Sequence, residues 1–310
     1  MITTITLNPS VDKLYIVEDV KTNSVMRVKE VFNTAGGKGL NVSKVSVLLG
    51  EKTTATGFLG GYNGDYVRSM LESAGISTRF TQTSSETRSC INVRDLRNAK
   101  HTEYLEPGAE ITQADLDRFL RVFEDILPHS EIITISGSAP KGTPSTFYAD
   151  IISLCRSAHK KTIVDTSGEL LVESLKAKPT LIKPNADEIE QLTCQKAASR
   201  EQIISAAKKL HEDGIEYVAV SLGADGSVFV CRDGVYFAQP PPINAVNTVG
   251  CGDSMTAGFA VSLSRGYSIT EMLRFSTAAA AANALELQTG HIRTKNLEDL
   301  LPQVKVMKIS

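Results

Sequence analysis

Short apolar runs alternate with stretches of helical periodicity along most of this chain. β-branched and other apolar residues predict strands at Ile2–Leu7, Thr53–Phe58, Glu131–Ile135, Thr162–Val164, Thr180–Ile182 and Tyr217–Ser221. Apolar residues at every third or fourth position predict helices at Leu40–Leu49, Asp65–Ala74, Gln113–Ile126, Thr146–Ser157, Glu188–Leu192, Gln202–Asp213 and Thr277–Leu287. This alternation predicts an α/β fold with a mostly parallel central sheet flanked by helices.

Two regions break this alternation. Residues 13–32 and 88–105 lack a helical period and carry strand-like segments separated by polar turns. We expect these two insertions to pair as a small β-sheet beside a single domain of residues 1–310, where they could act as a lid. Further on, Ser227–Val230 and Val235–Ala238 flank Asp233-Gly234, which predicts a hairpin.

Composition limits the classes of protein that need considering. The 310 residues are 42% hydrophobic and 22% charged, with a formal net charge of −2 and no long Lys/Arg block, which argues against nucleic acid or anionic membranes as partners. No apolar run is long enough for a membrane span, and the N-terminus lacks the features of a signal peptide. Five widely spaced cysteines without a C-x-x-C pair argue against disulfides and zinc, so we expect a cytoplasmic protein.

The segment Thr248–Gly258 joins two glycines, a carboxylate and the start of a helix. Glycines let the main chain approach a ligand, and helical N–H groups favour an anion, so Gly250, Cys251 and Gly252 form a predicted anion hole. Asp253 is a suitable acceptor for the proton of an attacking hydroxyl, as phosphoryl transfer requires. The structural alternative is a helix-end electrostatic contact after an ordinary glycine turn.

Two segments near the N-terminus also carry candidate chemistry. Asn33–Val42 places glycines around Lys38 just before a helix, which predicts a loop for an anionic or polyhydroxy ligand. It is not a P-loop, because Lys38 is followed by Gly39. Asn8–Asp12 follows the first strand, where ligands bind in open α/β sheets, and Asp12 could accept hydrogen bonds from sugar hydroxyls. Plain turns with a solvated lysine and a surface acid are the alternatives.

Two later segments could face a nucleotide. Asn185 and Glu188 have the spacing of a helix capping box. The functional alternative is a hydrated Mg²⁺ held by this pair through water, with Lys183, made extended by Pro184, pointing at phosphates. Val220–Gly226 is a strand-to-turn element that could lie against a nucleotide, although a turn before a hairpin explains it more simply.

Together these clusters resemble the PfkB carbohydrate kinases of the ribokinase-like superfamily over essentially the whole chain. The resemblance rests on Asn8–Asp12, Gly36–Asn41, Ser136–Ser138, Lys183–Asn185 with Glu188, Ser221–Gly223 and Thr248–Gly258. It implies a β lid over the sugar, ATP near residues 221–226, and Asp253 as catalytic base. The tagatose-6-phosphate kinase branch is most similar at Thr34–Val42, Glu86–Ile91, Thr102–Gly108 and Gln288–Gly290, and the 1-phosphofructokinase branch shares most of these features.

The resemblance also implies roles for individual residues. It implies sugar-hydroxyl contacts from Asp12, Gly37, Asn41 and Asn92, sugar-phosphate contacts from Lys38 and Arg88, and ATP and Mg²⁺ contacts from Lys183, Asn185, Glu188, Ser221, Gly223 and Gly226. A substrate that is already phosphorylated needs fixed cations, and an arginine can contact a phosphate through two nitrogens.

One position departs from the family pattern. Cys251 stands where alanine or another small residue is usual, which puts a thiol in the predicted anion hole. A helix N-terminus favours the thiolate form of a cysteine, whereas the negative charge of Asp253 disfavours it. The direction in which the pKa of Cys251 is shifted therefore stays open. On this basis we predict that peroxide or an alkylating reagent inactivates the protein and that ATP protects it.

These features predict an ATP- and Mg²⁺-dependent kinase that converts a ketohexose phosphate to the 1,6-bisphosphate, with tagatose 6-phosphate favoured over fructose 1-phosphate. A dinucleotide-binding oxidoreductase is disfavoured, because no Gly-x-Gly-x-x-Gly follows the first strand. A silent sugar-binding regulator is disfavoured by Asp253 and the Lys183–Glu188 set. The expected partners are a small-molecule sugar phosphate and ATP, and exposed lid edges favour a homodimer.

Overall fold

A computed structural model describes residues 1–193 and 196–310, so Cys194 lies outside the described residues. The strands are β1 (Ile2–Thr6), β2 (Ser10–Val17), β3 (Glu30–Gly36), β4 (Thr53–Leu59), β5 (Ser77–Thr78), β6 (Thr81–Gln82), β7 (Arg88–Asp95), β8 (Lys100–Leu105), β9 (Ile132–Ser136), β10 (Lys161–Asp165), β11 (Leu181–Ile182), β12 (Tyr217–Ser221), β13 (Ser227–Cys231), β14 (Gly234–Gln239) and β15 (Lys305–Lys308). The helices are α1 (Lys38–Leu48), α2 (Gly61–Ser73), α3 (Gln113–Ile126), α4 (Phe147–Ser157), α5 (Gly168–Lys176), α6 (Ala186–Thr193), α7 (Arg200–Glu212), α8 (Cys251–Arg265), α9 (Ile269–Ala284) and α10 (Thr294–Leu300).

Helix α3 shows how the local sequence produces these elements. Thr112 and Asp115 form a capping box that satisfies free N–H groups at its start. Leu116, Phe119 and Phe123 recur at helical spacing and are buried on one face. Burying each of these side chains stabilises the fold by roughly 1.5–3 kcal/mol. The helix has the bounds that the sequence pattern predicts.

The central sheet has the order β15-β14-β13-β12-β11-β10-β9-β1-β4-β5, with β6 also paired to β4. Pairing is parallel from β12 to β5, and β13 to β15 continue the sheet in antiparallel pairs. One face is covered by α3 to α7 and the other by α1, α8, α9 and α10, each through its own apolar core. This arrangement confirms the predicted α/β class with a mostly parallel sheet between helices.

A second, small sheet has the strand order β3-β2-β7-β8. Its strands overlap both predicted insertions, but β2 begins at Ser10 and β3 ends at Gly36, so the sheet extends into both N-terminal motifs. Asp12 consequently lies within a strand, paired with Thr34 on one side and Cys90 on the other. It is not part of a surface turn.

Some elements are absent from the sequence prediction. Strands β5 and β6 contain two residues each and exist because they pair with β4, which no local pattern reveals. Helix α5 is short, and α10 and β15 lie in a C-terminal region for which no element was predicted. Helix α9 begins eight residues before the predicted Thr277, at a capping box of Ser268 and Glu271. None of the helices in the described ranges is both long and apolar enough to cross a membrane.

Candidate active site

The strands of the parallel sheet end at one edge, beneath the small sheet, and a cleft of about 660 Å³ lies between them. This is the edge where open α/β sheets bind ligands, and the volume suits a small molecule. Most of the predicted site residues line the cleft, namely Asp12, Gly37, Lys38, Asn41, Arg88, Asn92, Lys183, Asn185, Glu188, Ser221, Gly250, Gly252 and Asp253. Cys251, Gly223 and Gly226 are not on its wall.

Asp253 stands in the first turn of α8 and is only 6% exposed. Asn41 on α1 donates a hydrogen bond from Nδ2 to Asp253 Oδ2 at 2.7 Å. Burial, and next the charge of Asp165, raise the pKa of Asp253 to about 6, although the Asn41 hydrogen bond, Lys38 and Lys183 oppose the rise. A carboxylate whose pKa lies this close to neutrality is a suitable proton acceptor for a hydroxyl.

The turn that precedes Asp253 has the form of an anion site. Gly250 caps α8 in the left-handed conformation, with φ of 84°, which glycine adopts without strain. The N–H of Cys251 bonds to Thr248 O and that of Ser254 to Gly250 O. Among the described residues no carbonyl pairs with the N–H groups of Gly252 and Asp253, both of which line the cleft. The start of α8 therefore offers two free donors and the positive end of the helix dipole at this wall.

Asp165 is a buried carboxylate that the sequence analysis missed. It ends β10, and its oxygens lie 3.2 Å from Lys183 Nζ and 3.4 Å from Lys38 Nζ. Thr256 on α8 donates a further hydrogen bond to it at 3.1 Å. Burial alone would raise the pKa of Asp165, but the two lysines outweigh burial and lower it. Asp165 therefore holds two cations beside the anion site, and its position at the end of a predicted parallel strand was the only signal.

Lys183 is the cation nearest to the anion turn. Its Nζ lies 3.3 Å from the position that a Cβ on Gly252 would occupy, and the side chain is 6% exposed. A fixed ammonium group there adds to the field of the helix end. A negatively charged group bound at Gly252 would thus meet main-chain N–H groups and Lys183 together.

Lys38 and Arg88, the two predicted sugar-phosphate contacts, have different partners in the structure. Lys38 pairs with Asp165, and Asp165, followed by Asp253 and Glu188, raises the pKa of this lysine. The Arg88 guanidinium instead donates to Asn8 O at 3.0 Å and to Glu106 O at 2.9 Å, and its Nε is buried without a partner. Both cations line the cleft, but a bound phosphate would have to compete with these contacts.

The small sheet contributes a polar wall opposite α8. Ser10 donates a hydrogen bond to Asp12 Oδ1 at 2.6 Å, and burial raises the pKa of Asp12. Asn92 Nδ2 donates to Glu103 at 3.0 Å, which leaves Asn92 Oδ1 buried without a partner. Glu103 also lines the cleft and is a second residue that the sequence analysis missed. These groups offer hydrogen bonds of the kind that sugar hydroxyls need.

Lys44 on α1 is a third residue that the sequence analysis missed. Its Nζ donates to Ala35 O at 3.0 Å and to Thr289 O at 3.3 Å. Burial lowers the pKa of Lys44 to about 8, although the charges of Asp12 and Asp253 oppose this. The lysine therefore ties the end of β3 to the segment after α9, behind the wall of the cleft.

Asn185 and Glu188 form the capping box that their spacing predicts. The N–H of Glu188 bonds to Asn185 Oδ1 at 2.8 Å, and the N–H of Asn185 bonds to the Glu188 carboxylate at 2.9 Å. Asn185 also pairs with Ser221 as a β-bridge, so both segments predicted to face a nucleotide adjoin. The structural interpretation is thus correct, and it is compatible with a metal role because both side chains still line the cleft.

Three predicted residues lie off the cleft wall. Gly223 and Gly226 belong to the turn between β12 and β13, where Gly226 packs against the main chain of β14. Their contact with ATP stays a prediction. Burial, and secondarily the charge of Asp253, raise the pKa of the Cys251 thiol, while a contact with Asn283 opposes the rise. The raised pKa argues against a reactive thiol, and inactivation through Cys251 stays a prediction.

Residues 2–296 match the profile of the pfkB family carbohydrate kinases. The chain belongs to the pfkB family. A Staphylococcus aureus protein named as a candidate phosphofructokinase is 31% identical over 100% of this chain and 99% of its own, with a TM-score of 0.87. Phosphofructokinase-2 of Escherichia coli is 28% identical over 97% of this chain and 98% of its own, with a TM-score of 0.91. A candidate 1-phosphofructokinase of Thermotoga maritima is 26% identical over the full length of both chains, with a TM-score of 0.88.

Membership of the pfkB family confirms the predicted enzyme class, a sugar kinase that transfers a phosphoryl group to a hydroxyl. The predicted ribokinase-like fold is confirmed as well, since ribokinase of Arabidopsis thaliana superposes with a TM-score of 0.78 at 22% identity over 97% of this pfkB kinase and 98% of its own chain. Sugar kinases of this family use ATP. The cleft described above is therefore the candidate active site of a sugar-phosphate kinase.

Proposed function

We propose that this kinase transfers the γ-phosphoryl group of ATP to the C1 hydroxyl of tagatose 6-phosphate, which yields the 1,6-bisphosphate. The observation that carries the proposal is Asp253, a buried carboxylate with a raised pKa that is held by Asn41 at the anion turn. Acceptor deprotonation and charge stabilisation are thereby combined at one helix end, as phosphoryl transfer requires.

In this proposal Asp253 takes the proton of the attacking hydroxyl while Asn41 fixes the direction of its carboxylate. The N–H groups of Gly252 and Asp253, with Lys183, stabilise the charge that spreads over the transferring phosphoryl group. Asp165 keeps Lys183 and Lys38 in place before substrate binds, so little reorganisation is needed during the reaction. General-base help of this kind contributes roughly 10²–10⁴ in rate.

The donor set around Asn185 and Glu188 fits a hydrated Mg²⁺. Within residues 1–193 and 196–310, no group of three or more His, Cys, Asp or Glu is arranged to hold a metal ion. Mg²⁺ commonly keeps several waters and binds chiefly through nucleotide phosphates, so a capping box with one carboxylate is sufficient. When bound with ATP, the ion would neutralise phosphate charge, and Asn185 and Glu188 would hold it through water.

The nature of the acceptor rests on the opposite end of the cleft. We infer that Arg88 holds the phosphate of the substrate and that Asp12, Asn41 and Asn92 bind the sugar hydroxyls. The contact of Lys38 with that phosphate stays a prediction, because Lys38 pairs with Asp165 beside the anion turn. Arg88 and Asn92 line the cleft, and each carries a polar atom without a partner among the described residues, Arg88 Nε and Asn92 Oδ1, so neither side chain has all of its hydrogen bonds satisfied within the protein. The amide nitrogens of Asn41 and Asn92 are already committed, to Asp253 and Glu103, so each asparagine would bind a sugar hydroxyl chiefly through its Oδ1.

Fructose 1-phosphate is the alternative acceptor, phosphorylated at C6. A furanose ring is nearly symmetric end to end. A site that binds a phosphate at one side and has Asp253 at the other could therefore bind either sugar phosphate, in opposite orientations. The Escherichia coli relative has been solved with fructose 6-phosphate, and the Thermotoga maritima relative is named for fructose 1-phosphate chemistry. Only protein groups that hydrogen-bond to the C3 and C4 hydroxyls can discriminate strongly between these sugar phosphates.

We also propose a homodimer through the small sheet and a cytoplasmic location. Strands β3 and β8 are the edges of the small sheet, and Val31 and Tyr104 on them are 53% and 61% exposed. A tetrameric form of the Escherichia coli phosphofructokinase-2 supports association in the family. The cysteines in the described part of the chain are free thiols, as a reducing compartment would keep them. Light scattering coupled to size exclusion, for the wild type and Tyr104→Lys, tests the dimer.

Substrate preference can be measured directly. ADP release coupled to NADH fluorescence should give kcat/KM values for tagatose 6-phosphate, fructose 1-phosphate and fructose 6-phosphate side by side. We expect tagatose 6-phosphate to be a good substrate, the other two to be measurable, and unphosphorylated tagatose and fructose to be poor. No detectable turnover of tagatose 6-phosphate would move the protein to the 1-phosphofructokinase branch.

A further inference from the structure

Asn283, near the end of α9, is a fully buried amide with four polar contacts. Its Oδ1 accepts hydrogen bonds from the N–H of Gly290 at 3.0 Å and from Ser254 Oγ at 3.1 Å. Its Nδ2 donates to Val249 O at 2.9 Å and contacts Cys251 Sγ at 3.6 Å. A main-chain N–H can only donate and a carbonyl can only accept, so the orientation of this amide is fixed by its neighbours.

These contacts connect three parts of the candidate active site. Val249 and Cys251 flank Gly250 in the anion turn, and Ser254 follows Asp253 on α8. Gly290 belongs to the Gln288–Gly290 segment, one of the segments in which the sequence is most similar to the tagatose-6-phosphate kinase branch. A single side chain therefore spans the anion turn, the helix that carries Asp253, and this segment.

Gly290 transmits the contact to Asp253 through Asn41. It adopts the left-handed conformation with φ of 65°, and a Cβ placed on it would lie 2.7 Å from Asn41 Oδ1 and 2.9 Å from Asn41 Cβ. The Gly290 main chain thus packs directly on Asn41, and Asn41 in turn donates to Asp253 Oδ2 at 2.7 Å. Displacing Gly290 would therefore change the space available to the side-chain amide of Asn41, which orients the carboxylate of Asp253.

The segment is also anchored from its other side. Lys44 Nζ donates to Thr289 O, and Asn247 donates to Leu287 O at 3.0 Å and to Thr289 Oγ1 at 3.4 Å. Asn247 also contacts the anion turn, because its Oδ1 accepts a hydrogen bond from the N–H of Val249 at 3.0 Å. Among these residues, however, it is Asn283 whose amide also bonds to Ser254 on α8 and to Gly290. We propose that Asn283 is a positioning residue that sets the geometry of the anion turn and, through Gly290 and Asn41, the orientation of Asp253. This inference rests on the proposed role of Asp253.

Asn283→Ala tests the proposal, with Gly290→Ala as a second variant that disturbs the same contact from the other side. Ser276→Ala is the matched control, because Ser276 is a fully buried residue of α9 whose hydroxyl bonds only within its own helix. We expect kcat of Asn283→Ala to fall roughly 10²-fold, as misplacement of reacting groups does, with KM for ATP nearly unchanged. Ser276→Ala should keep the wild-type kcat.

The pH profile separates positioning from a general loss of stability. The Asn41 hydrogen bond opposes the rise in the pKa of Asp253, so a loosened Asn41 should move the acid limb of kcat to higher pH. The other charged groups facing Asp253, which are Asp165, Lys38, Lys183 and Lys44, are unaltered in these variants. Lys44, with a pKa of about 8, stays charged over the acid limb.

A double variant shows whether the effect passes through Asn41. If it does, adding Asn283→Ala to Asn41→Ala should shift the acid limb no further, since coupled positions are not additive. The proposal is overturned if kcat and the acid limb of folded Asn283→Ala match the control, or, should that variant not fold, if those of Gly290→Ala do. A wild type without any acid limb would instead refute the role of Asp253, and this inference with it.

Discussion

Replacing Asp253 with Asn should abolish most activity and at the same time stabilise the fold. An asparagine keeps the shape of the side chain and can still accept the Asn41 hydrogen bond, but it cannot take a proton from the acceptor hydroxyl. We expect kcat to fall by roughly 10²–10⁴ with little change in ATP affinity.

The gain in stability follows from the pKa of Asp253. Burial, and next Asp165, raise this pKa from 3.8 to about 6. A rise of roughly two units at about 1.4 kcal/mol per unit means that the charged carboxylate destabilises the fold by about 3 kcal/mol at neutral pH. Because the folded state binds the proton more tightly than the unfolded chain, the penalty is fully present above the folded pKa of about 6. It fades as the pH falls from there towards 3.8, the unfolded value.

Urea unfolding at about pH 7.5 and about pH 5 measures both parts of this prediction, because the linkage slope depends only on the two pKa values. Asp253→Asn should be more stable than the wild type by about 3 kcal/mol at the higher pH and by roughly half of that at the lower pH. Asp125→Asn, which changes an exposed carboxylate on α3, should alter stability by less than about 0.5 kcal/mol at either pH.

Two results would refute this reasoning. A variant that keeps more than about a tenth of the wild-type kcat would show that Asp253 is not the general base. A variant that is no more stable than the wild type at neutral pH would show that the buried charge is fully compensated, and the raised pKa would then be wrong.

Further substitutions test the surroundings of Asp253. Asp165→Asn removes the neighbouring charge that raises the pKa of Asp253, so the acid limb of kcat should move to lower pH, and an unchanged limb would exclude this coupling. Arg88→Ala should reduce kcat/KM for the sugar phosphate by about 2–4 kcal/mol, and an unchanged value would make Arg88 a merely structural residue of the small sheet. Because burial raises the pKa of Cys251, iodoacetamide should inactivate the wild type only slowly and Cys251→Ala should stay active; rapid, ATP-protected inactivation that Cys251→Ala abolishes would contradict this.

The order of elements could be predicted from the sequence because each one has a local period. The helix Gln113–Ile126 combines a capping box with apolar residues on one face, and its observed bounds are the predicted ones. Strands β5 and β6 have no such period, because they are defined by pairing with β4. The start of β2 at Ser10 and the end of β3 at Gly36 also depend on pairing between strands, so the predicted insertion of residues 13–32 was too short at both ends.

Candidate site residues could be predicted from the sequence where residues that are close together in the chain also act together in the site. Gly250 to Asp253 and the Asn185–Glu188 pair are of this kind, since a helix end brings main-chain groups and side chains together. Asp165 and Asn283 could not be found in this way. Asp165 acquires its environment from Lys38, Lys183 and Thr256 on other elements, and Asn283 acquires its environment from Val249, Ser254 and Gly290 outside its own helix. A single Asp or Asn in a strand or helix carries no local signal of such contacts.

Phosphorus NMR of the complete reaction tests the central claim most directly. Purified protein with ATP, Mg²⁺ and tagatose 6-phosphate should convert the sugar phosphate to a bisphosphate, with one ADP formed for each new phosphomonoester, and Asp253→Asn under the same conditions should leave the spectrum nearly unchanged. ADP formation without a new sugar phosphate signal, for tagatose 6-phosphate and both fructose phosphates alike, would contradict the assignment of this cleft to a sugar-phosphate kinase.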